Sequence, residues 1–354
     1  MKFIHCADIH LGSKMEAKLP AELSEERRRE LRATFSRMVD YARAEEVTAI
    51  LLAGDVFDSA RPLKRDKEFF YSVVRNNPDI DFLYLRGNHD NLTSYTEEGL
   101  DNLKTFGTEW RSYSYGNIAV HGIELSPENR TSLYTTLQPD RGQINLVMLH
   151  GDTEASGGDE AIDLTRLRGR GIDYLALGHI HRRREGQLDE RGDYAYPGCL
   201  EGRGFDEIGQ KGFILLEIGE RVSHRFIPFA SREIVGIEVD LSGTRDEFEA
   251  CRRVAEAADV DRRSLLRVEL AGEIEYDHTD LAREIEAQLS HRFYFVSVKD
   301  HTRQHFNPAE SVGDISLRGE FIRTVLGRSD CTEEEKQQII EAGLRALSGR
   351  EVEL

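Results

Sequence analysis

Gly87-Asn88-His89-Asp90 follows directly on the apolar run Phe82-Leu83-Tyr84-Leu85. A short apolar run stopped by a glycine reads as a buried strand delivering polar groups to a sheet edge. In open α/β sheets, ligands collect at the carboxyl ends of such strands. Asn88 offers a neutral oxygen, His89 an imidazole able to carry a proton near neutral pH, and Asp90 a carboxylate able to orient that imidazole. The same pattern recurs along the chain. Met1 to Cys6 runs into Asp8 and His10, Val47 to Ala53 into Asp55, Ile144 to Leu149 into His150, and Tyr174 to Leu177 into His179 and His181. Each motif taken singly is more often a surface turn or a satisfied histidine than a ligand. Five of them at five strand ends predict a joint site.

Asp8, His10, Asp55, Asn88, His150, His179 and His181 form a mixed nitrogen and oxygen set larger than one metal needs. They suit two metals sharing a carboxylate, and Asp55 is the natural bridge because a carboxylate binds through both oxygens. Two metals about 4 Å apart clamp phosphoryl oxygens and hold a hydroxide for in-line attack on a phosphate ester. With Asp and His but no Cys in the set, the site favours Mn, with Fe or Zn as substitutes.

The intervening segments are built to position these ends. Leu31, Phe35, Met38, Val39 and Ala42 recur at helical spacing within a helix expected from Ser24, its N-cap, to Glu45. A second helix is expected over Lys64 to Arg75, with Phe69, Phe70, Val73 and Val74 on its apolar face, and a short third helix holds Leu100, Leu103 and Phe106. Strands alternating with helices predict parallel β-α-β units. The strands Gly212 to Ile218 and Arg221 to Phe229 close this region, and a boundary is expected near Ser231. Beyond it, strand Glu233 to Val239, helix Arg245 to Ala258, strand Leu265 to Leu270, helix Leu281 to Ser290 and strand Tyr294 to Val298 predict a small α/β cap. The tail ends in a helix from Thr332, with a Thr332/Glu335 capping box and an Ile339, Ile340, Leu344, Leu347 stripe.

Composition narrows the class. In 354 residues, 39% are apolar and 32% charged, and no run approaches the 18 or so apolar residues that span a bilayer. The chain enters a strand at once, without a basic leader and apolar h-region, which predicts a cytoplasmic protein. Cys6, Cys199, Cys251 and Cys331 are far apart and suggest neither a disulfide framework nor a zinc ribbon. Forty-seven basic against 65 acidic residues give a net charge of −18, which disfavours binding nucleic acid by bulk charge. The candidate local patch is Arg166, Arg168, Arg170, Arg182, Arg183 and Arg184, which bracket one strand and serve equally as a solvated face.

D-x-H, G-D-x-x-D, G-N-H-D, H-G and G-H-x-H, in that order over about residues 1 to 230, resemble the calcineurin-like metallophosphoesterase superfamily. Tyr196-Pro197-Gly198-Cys199-Leu200-Glu201, then Phe205-Asp206-Glu207 and Lys211-Gly212-Phe213, resemble its SbcD-like DNA repair exonucleases. The resemblance implies a two-sheet α/β sandwich flanked by helices over 1–230, a cap over 231–302 that is a candidate for DNA recognition, and a helical tail over 303–354 that is a candidate docking segment. It implies Asp8, His10, Asp55 and His181 on one metal, and Asp55, Asn88, His150 and His179 on the other. His89 would stabilise or protonate the leaving oxygen, oriented by Asp90. Asp58 stands where many nuclease relatives carry a histidine. The implied activity is a Mn-dependent DNA nuclease, exonuclease or single-strand endonuclease, acting on single strands or duplex ends in repair. Its implied partners are an SbcC-like coiled-coil ABC-family ATPase and a second copy, through the helices that flank G-N-H-D. The alternatives are a small-molecule phosphodiesterase or phosphatase with the same core, and a metal-free scaffold. The scaffold is disfavoured because every ligand position is filled.

Overall fold

The computed structural model describes residues 1–15, 19–91, 100–155, 157–276, 280–304 and 315–347. In chain order the first unit, Met1–Ile234, begins with β1 (Lys2–Cys6), α1 (Ala21–Ala44), β2 (Ala49–Ala53), α2 (Lys64–Arg75), β3 (Asp81–Leu85) and β4 (Leu103–Thr105). There follow β5 (Arg111–Tyr115), β6 (Ile118–Gly122), α3 (Leu133–Thr136), β7 (Ile144–His150), α4 (Leu164–Leu167) and β8 (Tyr174–Gly178). The unit closes with β9 (Arg184–Gln187), β10 (Asp193–Tyr196), β11 (Gly212–Ile218) and β12 (Val222–Pro228).

Two six-stranded sheets result, in the orders β12-β11-β1-β2-β3-β4 and β5-β6-β7-β8-β10-β9. β1 to β4 are mutually parallel, as are β6, β7, β8 and β10, so the carboxyl ends of the motif-bearing strands point one way in each sheet. Alternation along β2 and β3 explains why both read as unbroken apolar runs. Ile50, Leu52, Phe82 and Tyr84 face a core shared with Leu31, Phe35, Met38 and Val39 of α1 and with Phe70 and Val74 of α2. Leu51, Ala53, Leu83 and Leu85 face a second core shared with Val120, Leu146 and Met148 of the other sheet. The outer face of that sheet, through Val147, Leu149 and Leu175, packs on Leu133 and Tyr134 of α3 and Leu167 of α4. The unit is therefore the expected helix-flanked α/β sandwich of two sheets.

Two local expectations fail. α1 starts at Ala21 behind Pro20, and Ser24 is not its cap, because the Ser24 hydroxyl donates to the Met15 carbonyl at 3.2 Å. Leu103 lies in β4, not in a helix. Its three-residue spacing with Leu100 and Phe106 mimics a helix, but parallel pairing of Phe82 with Leu103 extends the sheet instead; residues 92–99 lie outside the described residues. Leu100 and Leu103 then pack on the α1/α2 core and Phe106 on the inter-sheet core. Phe70 is fully buried against Phe35, Phe57 and Tyr84. The apolar stripes of α2 and of Leu100, Leu103 and Phe106 thus pack wholly or in part within the unit.

The second unit, Val235–Leu354, contains most of β13 (Ile234–Asp240), then α5 (Glu247–Ala257), β14 (Leu265–Ala271), β15 (Glu273–Ile274), α6 (Leu281–Ser290), β16 (Phe295–Asp300), β17 (Arg303–Gln304), α7 (Leu317–Leu326) and α8 (Glu333–Leu347). A β13-β14-β16 sheet buries Leu266, Val268 and Leu270 against Val254 of α5 and Ile285 and Leu289 of α6. The Thr332/Glu335 capping box forms: the Glu335 amide donates to the Thr332 hydroxyl at 3.2 Å and the Thr332 amide to the Glu335 carboxylate at 2.7 Å. Ile340 and Leu344 pack on Ile322 and Val325 of α7, so α8 spends most of its stripe within the chain, and only Leu347 is exposed. The four cysteines are free. Among the described residues no helix is long and apolar enough to cross a membrane.

Candidate metal centre

The loops that follow β1 and β2 run side by side: the Asp8 amide donates to the Gly54 carbonyl at 3.1 Å, and the His10 amide to the Asp55 carbonyl at 2.9 Å. The second sheet closes over them. Both Asp8 carboxylate oxygens accept from the His179 amide, at 3.0 and 3.1 Å, and His150 Nδ1 donates to the Ala53 carbonyl at 2.9 Å. Four of the seven predicted ligands, Asp8, His10, Asp55 and His179, have positive φ, at 50°, 53°, 52° and 102°. Non-glycine residues held there store of order 1–3 kcal/mol each, a strain typical of functional sites.

The glycines of G-D and G-N are steric requirements of the same convergence. A Cβ on Gly87 would lie 2.2 Å from Asp55 Oδ1, and one on Gly54, whose φ is 94°, would lie 2.0 Å from His150 Nδ1. Gly54→Ala therefore meets a clash and a disfavoured backbone together. It should lower the stability of the metal-free protein by about 2 kcal/mol or more, read by thermal melting. A wild-type melting temperature would contradict this account of the loop.

All seven residues meet in one cluster. Asp55 Oδ2 lies 3.4 Å from His150 Nε2 and 3.8 Å from His10 Nε2. Asn88 Oδ1 is 3.0 Å from His150 Nε2 and 3.2 Å from His179 Nδ1, and the His10 and His181 Nε2 atoms stand 3.2 Å apart. Asp8, His10 and His181 form one compact metal-competent group, and Asp8, Asp55 and His150 another. Burial pushes the Asp8 carboxyl up to about 6 and His10 down to about 4. Burial also opposes charge on His150, but the Asp55 carboxylate outweighs it and raises the imidazole to about 9. Burial opposes charge on Asp55 as well, yet the His150 contact holds its carboxyl well below the usual carboxylate range. With His150 Nδ1 on the Ala53 carbonyl, its Nε2 faces Asn88 Oδ1 and Asp55 Oδ2, and a divalent cation in place of the Nε2 proton would be shared by all three. Nitrogen and oxygen donors with no thiolate fit divalent cations of the Mn, Fe and Zn kind.

His89 sits at the rim, exposed, its amide donating to Asp55 Oδ1 at 2.9 Å and its ring 4.8 Å from that of His10. Asp90 does not orient it. The Asp90 carboxylate is fully buried and accepts from the Gly87 amide at 2.7 Å, the Val56 amide at 2.9 Å and the Tyr84 hydroxyl at 2.5 Å. Its work is to pin the G-N-H-D turn to the loop after β2, a role set by residues distant in sequence.

The six arginines fall into two groups. Arg166, Arg168 and Arg170 precede β8 and Arg182, Arg183 and Arg184 follow it, so a five-residue strand of about 16 Å separates the groups. Arg166 stacks over Tyr134, Arg183 pairs with Glu185, and Arg184 with Glu154. Among the described residues, four further side chains touch the cluster: Glu160, 3.5 Å from His179, Glu207 and Arg203, which reach His181, and Asp58, 3.0 Å from His10.

A sequence profile of the calcineurin-like phosphoesterase family matches residues 1–183, more than half of the chain, and spans all five strand ends. The chain belongs to this family. Among individual proteins, this calcineurin-like phosphoesterase is similar to the uncharacterized metallophosphoesterase YhaO of Bacillus subtilis, at 29% identity over 62% of the chain and 57% of that protein. It is also similar to the DNA double-strand break repair protein Mre11 of Aeropyrum pernix, at 30% identity over 60% of the chain and 56% of that protein. The Mre11 of Sulfolobus acidocaldarius aligns over 93% of the chain and 88% of its own length at 23% identity. The chain spans little more than half the length of YhaO and of the Aeropyrum Mre11.

Proposed function

We propose that this phosphoesterase is a two-metal, Mn-preferring DNA nuclease of the SbcD/Mre11-like branch. The observation that carries the hydrolytic reading is the meeting of seven nitrogen and oxygen donors from two sheets around Asp55. Asp8, His10, Asp55 and His181 would hold one ion, and Asp55, Asn88, His150 and His179 the other. When bound, the ions supply Lewis acidity at the phosphoryl group and a lowered pKa for the attacking water. The chain's own part is to fix the donors on strained loops and to present His89 at the open rim, where its imidazole can protonate the leaving oxygen.

DNA as the substrate is supported by likeness to Mre11 proteins named for double-strand break repair and by the motif set around Glu201 and Glu207. The SbcC-like ATPase, the homodimer, the DNA-recognising role of the cap and a cytoplasmic location complete the reading, and their support is the resemblance. A second reading, a small-ester phosphodiesterase, is favoured by the net charge of −18 and by the separation of the two arginine groups. The two part in one assay: purified protein with Mn, with and without a chelator, on labelled single-stranded, hairpin and duplex DNA beside cyclic nucleotides and phosphopeptides. Chelator-sensitive DNA cleavage is expected. Turnover of small esters alone, with DNA untouched even when the ATPase is added, would replace the nuclease with the second reading.

A further inference from the structure

Glu207 is buried, and its Oε1 lies 2.7 Å from His181 Nδ1. The same oxygen accepts from Arg203 Nε at 3.0 Å and Nη2 at 2.8 Å, and Glu207 Oε2 accepts from the Arg203 amide at 2.7 Å. The other arm of the guanidinium, Nη1, donates to Asp58 Oδ1 at 3.0 Å, and that oxygen stands 3.0 Å from His10 Nδ1. The contacts form one unbroken path, His10–Asp58–Arg203–Glu207–His181. We propose that Asp58, Arg203 and Glu207 are a positioning bridge that holds His10 and His181 in the tautomer and orientation needed to bind a single metal ion. This rests on the assignment of both histidines to the same ion.

An imidazole ligates through one nitrogen only when the other carries the proton, and a carboxylate on that second nitrogen fixes which is which. Glu207 accepting from His181 Nδ1 leaves the Nε2 lone pair of His181 facing His10 Nε2, 3.2 Å away. Asp58 Oδ1 stands 3.0 Å from His10 Nδ1 without completing a hydrogen bond, so the Glu207 end is the firmer. Arg203 Nη2 also comes within 2.8 Å of His181 Nδ1. Two donors meet there, and Glu207 Oε1 resolves the conflict by accepting from both. Arg203 thus supplies one planar fork that spaces two carboxylates, a task a lysine's point charge performs poorly.

The backbone of the same histidine is held from behind. Lys211 Nζ donates to the His181 carbonyl at 2.8 Å, and a Cβ on Gly198 would stand 2.8 Å from that oxygen. The segments 196–201, 205–207 and 211–213 therefore converge on one histidine. The opposite half of the centre is supported differently, with His150 Nδ1 on the Ala53 carbonyl. The bridge is one-sided, and its loss must be felt by one ion.

The test is calorimetric titration of the full chain with Mn, with the bound metal counted by elemental analysis and the spin spectrum recorded. Asp58→Asn and Glu207→Gln act at the two ends of the bridge. Asp58 is one-quarter exposed at the edge of a cleft of about 290 Å³, so its amide variant disturbs no packed core. Wild type is expected to bind two ions with a coupled-pair spectrum. Each variant should keep one ion at wild-type affinity and bind the other about 10–100-fold more weakly, with a mononuclear spectrum. Two ions at wild-type affinity in both variants would overturn the bridge, as would equal weakening of both ions. A wild-type protein that binds fewer than two ions would instead overturn the two-metal reading beneath it.

Discussion

Asp55→Ala is expected to lose both metal ions and to retain less than about 1% of wild-type hydrolysis. Removing a partner one step outside a metal already costs about 10–100-fold in affinity or activity. Asp55 stands nearer, with Oδ2 facing His150 and His10 from the two halves of the centre. Its other oxygen accepts from the His89 amide, so the substitution also unpins the turn that carries the rim imidazole. Asp55→Asn separates these jobs, because the amide oxygen can still accept from His89 while the charge is gone. It should keep the turn and lose the metals. Metal analysis after dialysis against Mn decides the matter: a full two-ion complement in Asp55→Ala would end the bridging assignment.

The second large effect divides chemistry from coordination. His89→Ala is expected to lower kcat by about 10²–10⁴-fold, the usual worth of a positioned general acid, while two ions remain bound. His89 is exposed, and its nearest ring neighbour is His10 at 4.8 Å, so truncation leaves no buried cavity and no orphaned charge. Stability should change by no more than about 0.5 kcal/mol. A substrate with a leaving group that departs without protonation should recover much of the lost rate. Loss of either ion in this variant would return His89 to the ligand set.

The five strand-end motifs were legible because each is local: an apolar run, then a ligand-competent side chain, with a glycine directly before it in three of them, Gly54, Gly87 and Gly178. The parallel order of the strands follows from their alternation with helices, and the register then carries the motif ends to one edge without further instruction. Helix α2 and strand β11 lie over the spans their patterns predict, since their faces are clean. Strand β9, Arg184-Glu185-Gly186-Gln187, has no apolar face and leaves no signal, whereas the alternating Tyr113 and Tyr115 of β5 pack on the inter-sheet core and are the period-two signal for that strand.

What chain order alone does not determine is which polar atom finds which. Asp90 lies next to His89 in the chain, yet its carboxylate turns inward to Val56, Phe57, Gly87 and Tyr84. The six arginines look contiguous around β8 but are held apart by its length. Asp58 and Arg203 meet across 145 positions, and Glu207 reaches His181 across 26. The sequence by itself determined the parallel β-α-β units, the ligand types and their place at the strand ends, because hydrophobic periodicity and glycine are read within a few residues. Only the tertiary structure decided the second layer of contacts that orients those ligands, because a hydrogen bond acts over about 3 Å and depends on where separate loops come to rest.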